Sequence, residues 1–284
     1  MHNIAVVHKP QPAVISLAQE IRSWLEARGC VVRMLPNSVD ICLDDTDAEV
    51  VIVVGGDGTM LGVARRLTEH PVPLLGINMG RVGFLTEIST DQWHGSLDKL
   101  LCGEYRVIKR LALRWRLLRG GELVDEGCAV NDAVMSRGAL SRVVCFGVQA
   151  GTQDVCTIRA DGLIISSPMG MSGYAVSAGG PLVHPELPAV VLTAICPFLC
   201  NFPPLVLPLT LPVRVEVLSD SVKSFLTLDG QQTVPLEPHD VVEVRGVPDL
   251  VYYVRIGEGT YFKRLKGRGF IEGYGHTLRR KGDA

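Results

Sequence analysis

Apolar and polar positions recur with two different periods along this chain. Asn3 to Val7 is an apolar run of strand length. From Pro12 to Arg28 the residues Val14, Leu17, Ala18, Ile21 and Leu25 fall at helical spacing, and Gly29 closes the element. Val31 to Leu35 reads as a strand again. Glu49 to Val54 (EVVIVV) is a continuous apolar run of the kind buried on both faces of a parallel sheet. A helix over Thr59 to His70 and a strand over Pro73 to Asn78 follow. This β-α-β alternation predicts a Rossmann-like α/β domain with a parallel sheet over residues 1–105.

Near Tyr105 the pattern changes to short β-rich runs separated by turn residues. LALRWRLLR ends at Gly120-Gly121, ELVDEGCAV runs into Asn131-Asp132, and SRVVCFGVQAG and TIRADGLIIS follow. Further on, VRVEVLSD, KSFLTLDGQQ, DVVEVRG and LVYYVRI are spaced like a meander. One helix is expected around Ser172 to Ala178. The reading is a β-rich C-terminal domain over 106–255, then a basic, glycine-rich segment over 256–284 that packs back on the first domain.

Composition narrows the functional classes. A chain of 284 residues can bury a large core without staples. Twenty-eight Lys and Arg against 30 Asp and Glu leave a net charge of −2, which argues against nucleic acid as a partner. A 47% hydrophobic and 20% charged composition excludes a disordered chain. The longest apolar stretch, Pro188 to Cys200, is interrupted by Thr193 and Pro197, so no membrane span is expected. No basic segment leads into an apolar one at the start, so no signal peptide is expected and the cytoplasm is the expected compartment. The eight cysteines form no CxxC pair and read as reduced, structural thiols. The seven histidines are scattered without metal-ligand spacing.

Five segments could carry chemistry. Gly55-Gly56-Asp57-Gly58-Thr59 lies between a buried strand and a helix, where α/β sheets bind ligands. Its glycines let a ligand approach the backbone, and the helix start offers N–H groups to phosphate. An acid there suits proton acceptance or metal binding better than a plain phosphate cradle. By itself GGDG reads equally well as an ordinary turn with Thr59 starting the helix. It is neither a P-loop nor GxGxxG. The second segment, Gly76 to Leu85, should lie beside the first, with Asn78 the residue expected to face a ligand. The third, Asn131-Asp132, could bind a base edge or a ribose diol, or be only a turn. The fourth, Asp161 to Pro181, is dense in hydroxyls and glycines at an expected helix start; it also reads as a plain Gly/Ser-rich loop, although loops of this length without a role are uncommon. The fifth, Asp229-Gly230-Gln231, reads first as a hairpin turn.

In order, GGDGT (55–59), GINMGRVGFLTE (76–87), AVNDAVMSRG (129–138), the DGLIISSP…GY…SAGGP block (161–181), PLVLP (204–208) and DGQ (229–231) resemble the NAD kinase family. These enzymes phosphorylate the adenosine ribose 2′-hydroxyl of NAD to give NADP. The resemblance implies a cleft between an α/β and a β-rich domain, a divalent metal ion such as Mg²⁺, ATP or polyphosphate as donor, and a homodimer or homotetramer. It implies Asp57 as proton acceptor and Gly58 against the nucleotide, with Asn131 and Asp132 standing where the family has an Asn-Glu pair. It also implies Arg142, Arg159 and Asp161 near the cofactor. Ser172, Gly173, Tyr174, Ala175, Val176 and Ser177 would form the loop around adenine and ribose, with Gln231 completing the set.

The chain departs from the family pattern at Asp132, which is one methylene short, and at Met169 and Met171, which replace hydroxyls. Pro197-Phe198 stands where Pro-His is usual. Those changes motivate a second reading, a catalytically weak NAD(P) sensor. A lipid kinase sharing only GGDG is a third, and it leaves the 161–181 block unexplained. Arg279, Arg280 and Lys281 read as a solvated basic end.

Overall fold

The run Val50–Val54 becomes a central strand because every one of its five branched side chains is buried. The structure is a computed structural model that describes residues 1–37, 47–80, 83–138, 142–220, 222–257 and 261–271. Arg81 and Val82 of the second motif, and Arg279, Arg280 and Lys281, lie outside the described residues.

The first part of the chain runs β1 (Asn3–His8), α1 (Pro12–Glu26), β2 (Val31–Pro36), β3 (Val50–Val54), α2 (Asp57–Arg66), β4 (Leu74–Asn78), β5 (Ile88–Ser89) and α3 (Trp93–Leu101). Pro12 pre-sets the first turn of α1, and Gly29, at φ +84, follows its end. The helix buries Val14, Ala18, Ile21 and Leu25, each large side chain contributing about 1.5–3 kcal/mol. β1 to β5 pair in parallel, as the alternation predicts.

The second part is β-rich: β6 (Arg106–Arg119), β7 (Glu122–Ala129), β8 (Asp132–Arg137), β9 (Val144–Ala150), β10 (Gln153–Ala160) and β11 (Gly162–Ser166). A short 3₁₀ turn, Gly170–Ser172, leads into α4 (Tyr174–Ser177), within the span predicted for a helix. Then come β12 (Ala189–Ile195), β13 (Leu205–Pro208), β14 (Val213–Val217), β15 (Ser224–Leu228), β16 (Gln232–Leu236), β17 (Val241–Arg255) and α5 (Tyr261–Gly267).

Among the described residues these strands form two sheets. A six-stranded antiparallel sheet has the order β13-β12-β11-β8-β15-β16. It packs on the other sheet through Trp115, Phe146 and Val244 on one side and Met135, Ile165 and Leu226 on the other. The second sheet has eleven strands, because β17 pairs in parallel with β4 at Tyr253 and Leu74 and antiparallel with β6 and β14.

Three expectations need correction. DVVEVRG and LVYYVRI are not separate meander strands but one strand, β17. Pro248-Asp249 looks like a turn in sequence, yet β6 continues alongside it and the extra residues are absorbed as a register shift between Val247 and Val251. KSFLTLDG also leaves the meander, since β15 pairs with β8 and β16 in the other sheet. Finally, α2 starts at Asp57 and ends at Arg66, not Thr59 to His70. The Thr68 hydroxyl donates to the Arg65 carbonyl at 2.9 Å, closing the helix early.

The described cysteines are all unpaired. Among the described residues no helix is long and apolar enough to cross a membrane.

Candidate functional site

At the carboxyl end of β3 the chain must turn sharply into α2. Gly55 donates to the Ile77 carbonyl of β4 at 2.9 Å, and a side chain there would strike the Thr59 hydroxyl at 2.7 Å. Asp57 is therefore in the first turn of α2 with its carboxylate turned to the next loop. It accepts from the backbone N–H of Phe84 (2.8 Å), Leu85 (3.1 Å) and Thr86 (3.1 Å), and from the Thr86 hydroxyl at 2.9 Å. Four donors occupy most of what one carboxylate can accept. Gly83 is dictated by this packing, because a Cβ would lie 1.7 Å from the nearer Asp57 oxygen. The first two motifs are thus one unit, side by side as the sequence predicts.

Asn78, the residue expected to face a ligand, is bonded within its own loop. It is buried, its amide donates to the Thr86 hydroxyl at 2.8 Å, and its Oδ1 accepts from Gly80 at 2.8 Å. Its role is to shape the loop that Asp57 holds.

The β15–β16 hairpin brings the fifth motif to the same place. Asp229 (φ +53) and Gly230 (φ +64) make the tight turn that the sequence suggested. Asp229 does more: its buried carboxylate accepts from the backbone N–H of Val130 (3.0 Å), Asn131 (2.7 Å) and Asp132 (3.2 Å), and pairs with Arg65 of α2 at 3.4 Å. Burial pushes this carboxyl up, while the three N–H donors and Arg65 pull it back. Gln231 donates its amide to the Gly58 carbonyl at 2.7 Å.

The third and fourth motifs meet here too. The Ser167 hydroxyl donates to the Val130 carbonyl at 2.6 Å, and the Ser167 N–H donates to the Asn131 carbonyl at 2.8 Å. At Gly170 a side chain would lie 2.3 Å from that same Asn131 carbonyl oxygen. Hydroxyls of the fourth motif are therefore spent on holding the Asn131 backbone, and the Asn131 Oδ1 is left buried without a hydrogen-bond partner.

Together these elements enclose a cavity of about 460 Å³, lined by Asp57, Gly58, Phe84, Asn131, Met169, Ser172, Gly173 and Arg268, among others. Its size suits a nucleotide-sized ligand. Five residues expected from sequence line it: Asp57, Gly58, Asn131, Ser172 and Gly173. Gln231 stands behind Gly58, and Ala175 is buried beneath the loop. Asp132 lies just under Asn131, where burial and the Asp229 charge raise its carboxyl to about 7. Val176 is half-buried, and Tyr174 and Ser177 are exposed outside the lining. Arg142 and Arg159 are exposed away from the cavity, Arg159 lying 5.4 Å over the Phe198 ring. Asp161 is paired with Arg137 at 2.7 Å.

Sequence reasoning missed Arg268 and Phe270, which reach the cavity from beyond α5. Phe270 packs edge-on against Phe84, ring centres 5.6 Å apart, and the Arg268 guanidinium lies 5.8 Å from the Phe84 ring centre. Asp229 was singled out in sequence, but first as part of a hairpin turn rather than as the acceptor of the Val130–Asp132 backbone. Met171 is buried among Val134, Ile164 and Ala175, so this departure removes nothing from the cavity. Met169 does line it.

The chain matches the ATP-NAD kinase N-terminal domain over residues 36–105 and the ATP-NAD kinase C-terminal domain over residues 130–256. It is 44% identical to an NAD kinase of Nitratidesulfovibrio vulgaris strain DP4, the alignment covering 98% of this chain and 94% of that one. It is 33% identical to the NAD kinase of Lawsonia intracellularis, over 95% and 96%. An Archaeoglobus fulgidus NAD kinase in complex with ATP superposes with a TM-score of 0.73 at 25% identity, covering 93% of this chain and 98% of that one. Yeast NADH kinase complexed with NADH has the same fold, with a TM-score of 0.86 at 21% identity over 98% of this chain and 90% of that one. With both domain models matched in order and the motifs of both drawn into one cavity, the chain belongs to the NAD kinase family.

Proposed function

We propose that this chain transfers the terminal phosphoryl group of ATP or polyphosphate to the adenosine ribose 2′-hydroxyl of NAD, making NADP. The observation that carries the reading is the convergence of Asp57, Gly58, Asn131, Ser172 and Gly173 on one nucleotide-sized cavity. Phosphoryl transfer asks a protein for positioning and charge placement more than for covalent help. The start of α2, at Asp57 and Gly58, offers backbone N–H groups to phosphate. Asp57 accepts the 2′-hydroxyl proton, the rotatable Thr86 hydroxyl being the donor that gives way. Asn131 offers its unpartnered Oδ1 to the dinucleotide, with Asp132 behind it.

Among the described residues no three His, Cys, Asp or Glu side chains are grouped to hold a metal. A divalent ion, Mg²⁺ in this reading, would be held by the donor phosphates and would neutralise their charge. Tyr174 and Ser177 of α4, with Arg142, Arg159 and Asp161, lie outside the cavity's lining, which suits a homodimer or homotetramer presenting them across a subunit contact. The division at residues 105 and 255 and a cytoplasmic location belong to the same proposal.

Endpoint detection of NADP after incubation with NAD, ATP and Mg²⁺ tests the activity. Asp57→Asn is expected to lower turnover at least about 100-fold with NAD affinity little changed. Tight NAD(P) binding without NADP formation from ATP or polyphosphate would instead make the chain a sensor. Met171, as a core residue, no longer argues for that outcome.

A further inference from the structure

Beside the Asp57 cavity three arginines converge from three elements. Arg110 comes from β6, Arg255 from the end of β17 and Arg264 from α5. They line a pocket of about 20 Å³ that shares Phe84, Met169 and Ser172 with the larger cavity.

Among the described residues the charges around this pocket do not balance. One carboxylate, Glu87, pairs with both Arg255 and Arg264. Arg110, whose side chain is only 10% exposed, has Glu186 at 3.7 Å, and Glu186 is 67% exposed. Among the described residues, three largely buried guanidinium groups thus face two carboxylates, one of them in solvent. Burial pushes Arg255 down to about 9, with the nearby Arg264 adding to the effect, and lowers Arg110 and Arg264 in the same direction. Among the described residues the Arg264 Nε is buried without a hydrogen-bond partner. A buried, unused donor beside surplus positive charge calls for an anion that is not part of the chain.

We propose that Arg110, Arg255 and Arg264 receive one oxygen of a phosphoryl group whose bulk occupies the Asp57 cavity. The small pocket holds a single oxygen-sized guest, so the rest of the anion must sit in the neighbouring space that Ser172 and Met169 share. Guanidinium groups match phosphoryl oxygens in charge and in the fork of their N–H bonds. Free phosphate and the tail of a phosphoryl donor offer the same chemistry. The donor version rests on the phosphotransferase reading, whereas phosphate binding itself does not.

The test uses the full chain with Arg264→Gln and Arg110→Gln, each first shown to be folded by its circular dichroism spectrum, and Arg264→Lys as the conservative change. Three quantities are read: KM for ATP, KM for NAD, and the rise in Tm caused by inorganic phosphate against sodium chloride at matched ionic strength. The expected result is a roughly tenfold or greater increase in KM for ATP with KM for NAD unchanged. Loss of the phosphate-induced Tm rise and partial rescue by Arg264→Lys should accompany it. Loss of the phosphate effect with KM for ATP unchanged would support the pocket with free phosphate as its occupant. A wild-type chain that makes no NADP, yet loses its phosphate response on Arg264→Gln, would keep the pocket and remove the enzymatic reading. Folded variants with both the phosphate response and KM for ATP unchanged would overturn the proposal, as would an effect confined to KM for NAD.

Discussion

The Gln231 side-chain amide donates to the Gly58 carbonyl at 2.7 Å, joining positions 173 residues apart. The same side chain leaves little room at Gly62, where a Cβ would stand 3.1 Å from its Oε1. Gln231→Ala should cost about 1 kcal/mol and raise KM for NAD as Gly58 loses its tether. Gly62→Ala should cost less than it would at a rigid site, because the amide can shift. The double variant should be non-additive in urea denaturation, since the two positions share one contact. Additive losses would mean that Gln231 does not seat on α2.

Gly83→Ala should lower stability by about 1–3 kcal/mol and abolish turnover, because its Cβ would occupy the Asp57 carboxylate's place, 1.7 Å from one oxygen. Gly56→Ala is the control. It has no atom within 4 Å of its Cβ and no positive φ, so stability should stay within about 0.5 kcal/mol of the parent. Thermal melts of both variants decide the matter.

Asp229→Asn should destabilise the chain by about 2–4 kcal/mol. Its amide would turn a donor toward some of the N–H groups of Val130, Asn131 and Asp132 and would leave Arg65 without its charge partner. NAD affinity should fall with stability, because Asn131 is positioned through that backbone. Chemical denaturation and calorimetry on one preparation check both effects.

Asp132 gives the fold a pH dependence of known sign. Its carboxyl is raised from 3.8 to about 7, first by burial and then by Asp229. No hydrogen-bond donor reaches it among the described residues. The folded chain therefore holds a proton that the unfolded chain releases. The resulting stability is full below about pH 4 and is lost as the pH rises through about 7, by up to roughly 1.4 kcal/mol per unit. The parent should lose stability relative to Asp132→Asn as the pH rises along that window. A flat difference between about pH 5 and pH 8 would overturn the assignment.

The two methionines should behave oppositely. Met171→Thr places a hydroxyl in a fully buried apolar cluster and should cost about 1–3 kcal/mol with no change in KM for NAD. Met169→Thr alters the cavity lining and should change KM for NAD with a smaller loss of stability. Steady-state kinetics beside thermal melts separate the two.

The parts of the fold that were legible in sequence are those set by local periodicity. EVVIVV announced a doubly buried strand, and Val14 to Leu25 a helix with one apolar face. What could not be read was pairing across long separations. Nothing in DVVEVRG and LVYYVRI says that β6 will run beside both as one ladder, because Pro248-Asp249 carries an ordinary turn signature. At the site, glycine and acidic residues marked the cavity well. The direction in which Asn78 points, and the arrival of Arg268 and Phe270 from the far end of the chain, depend on tertiary packing. Met171 likewise looked like a lost ligand contact until its burial was known.

The union of β4, β6 and β14 through β17 has a consequence for biosynthesis. The strand that completes the larger sheet, Val241–Arg255, leaves the ribosome after every other described strand of that sheet. Until then, among the described residues, β4 has only the two-residue β5 on its outer side, and β6 has only β7. Nascent chains stalled before residue 241 present two open, largely apolar ladders, the condition under which edges recruit foreign strands. Messages truncated there should yield aggregates rather than a free-standing N-terminal half, and chaperone dependence should end abruptly once Arg255 emerges.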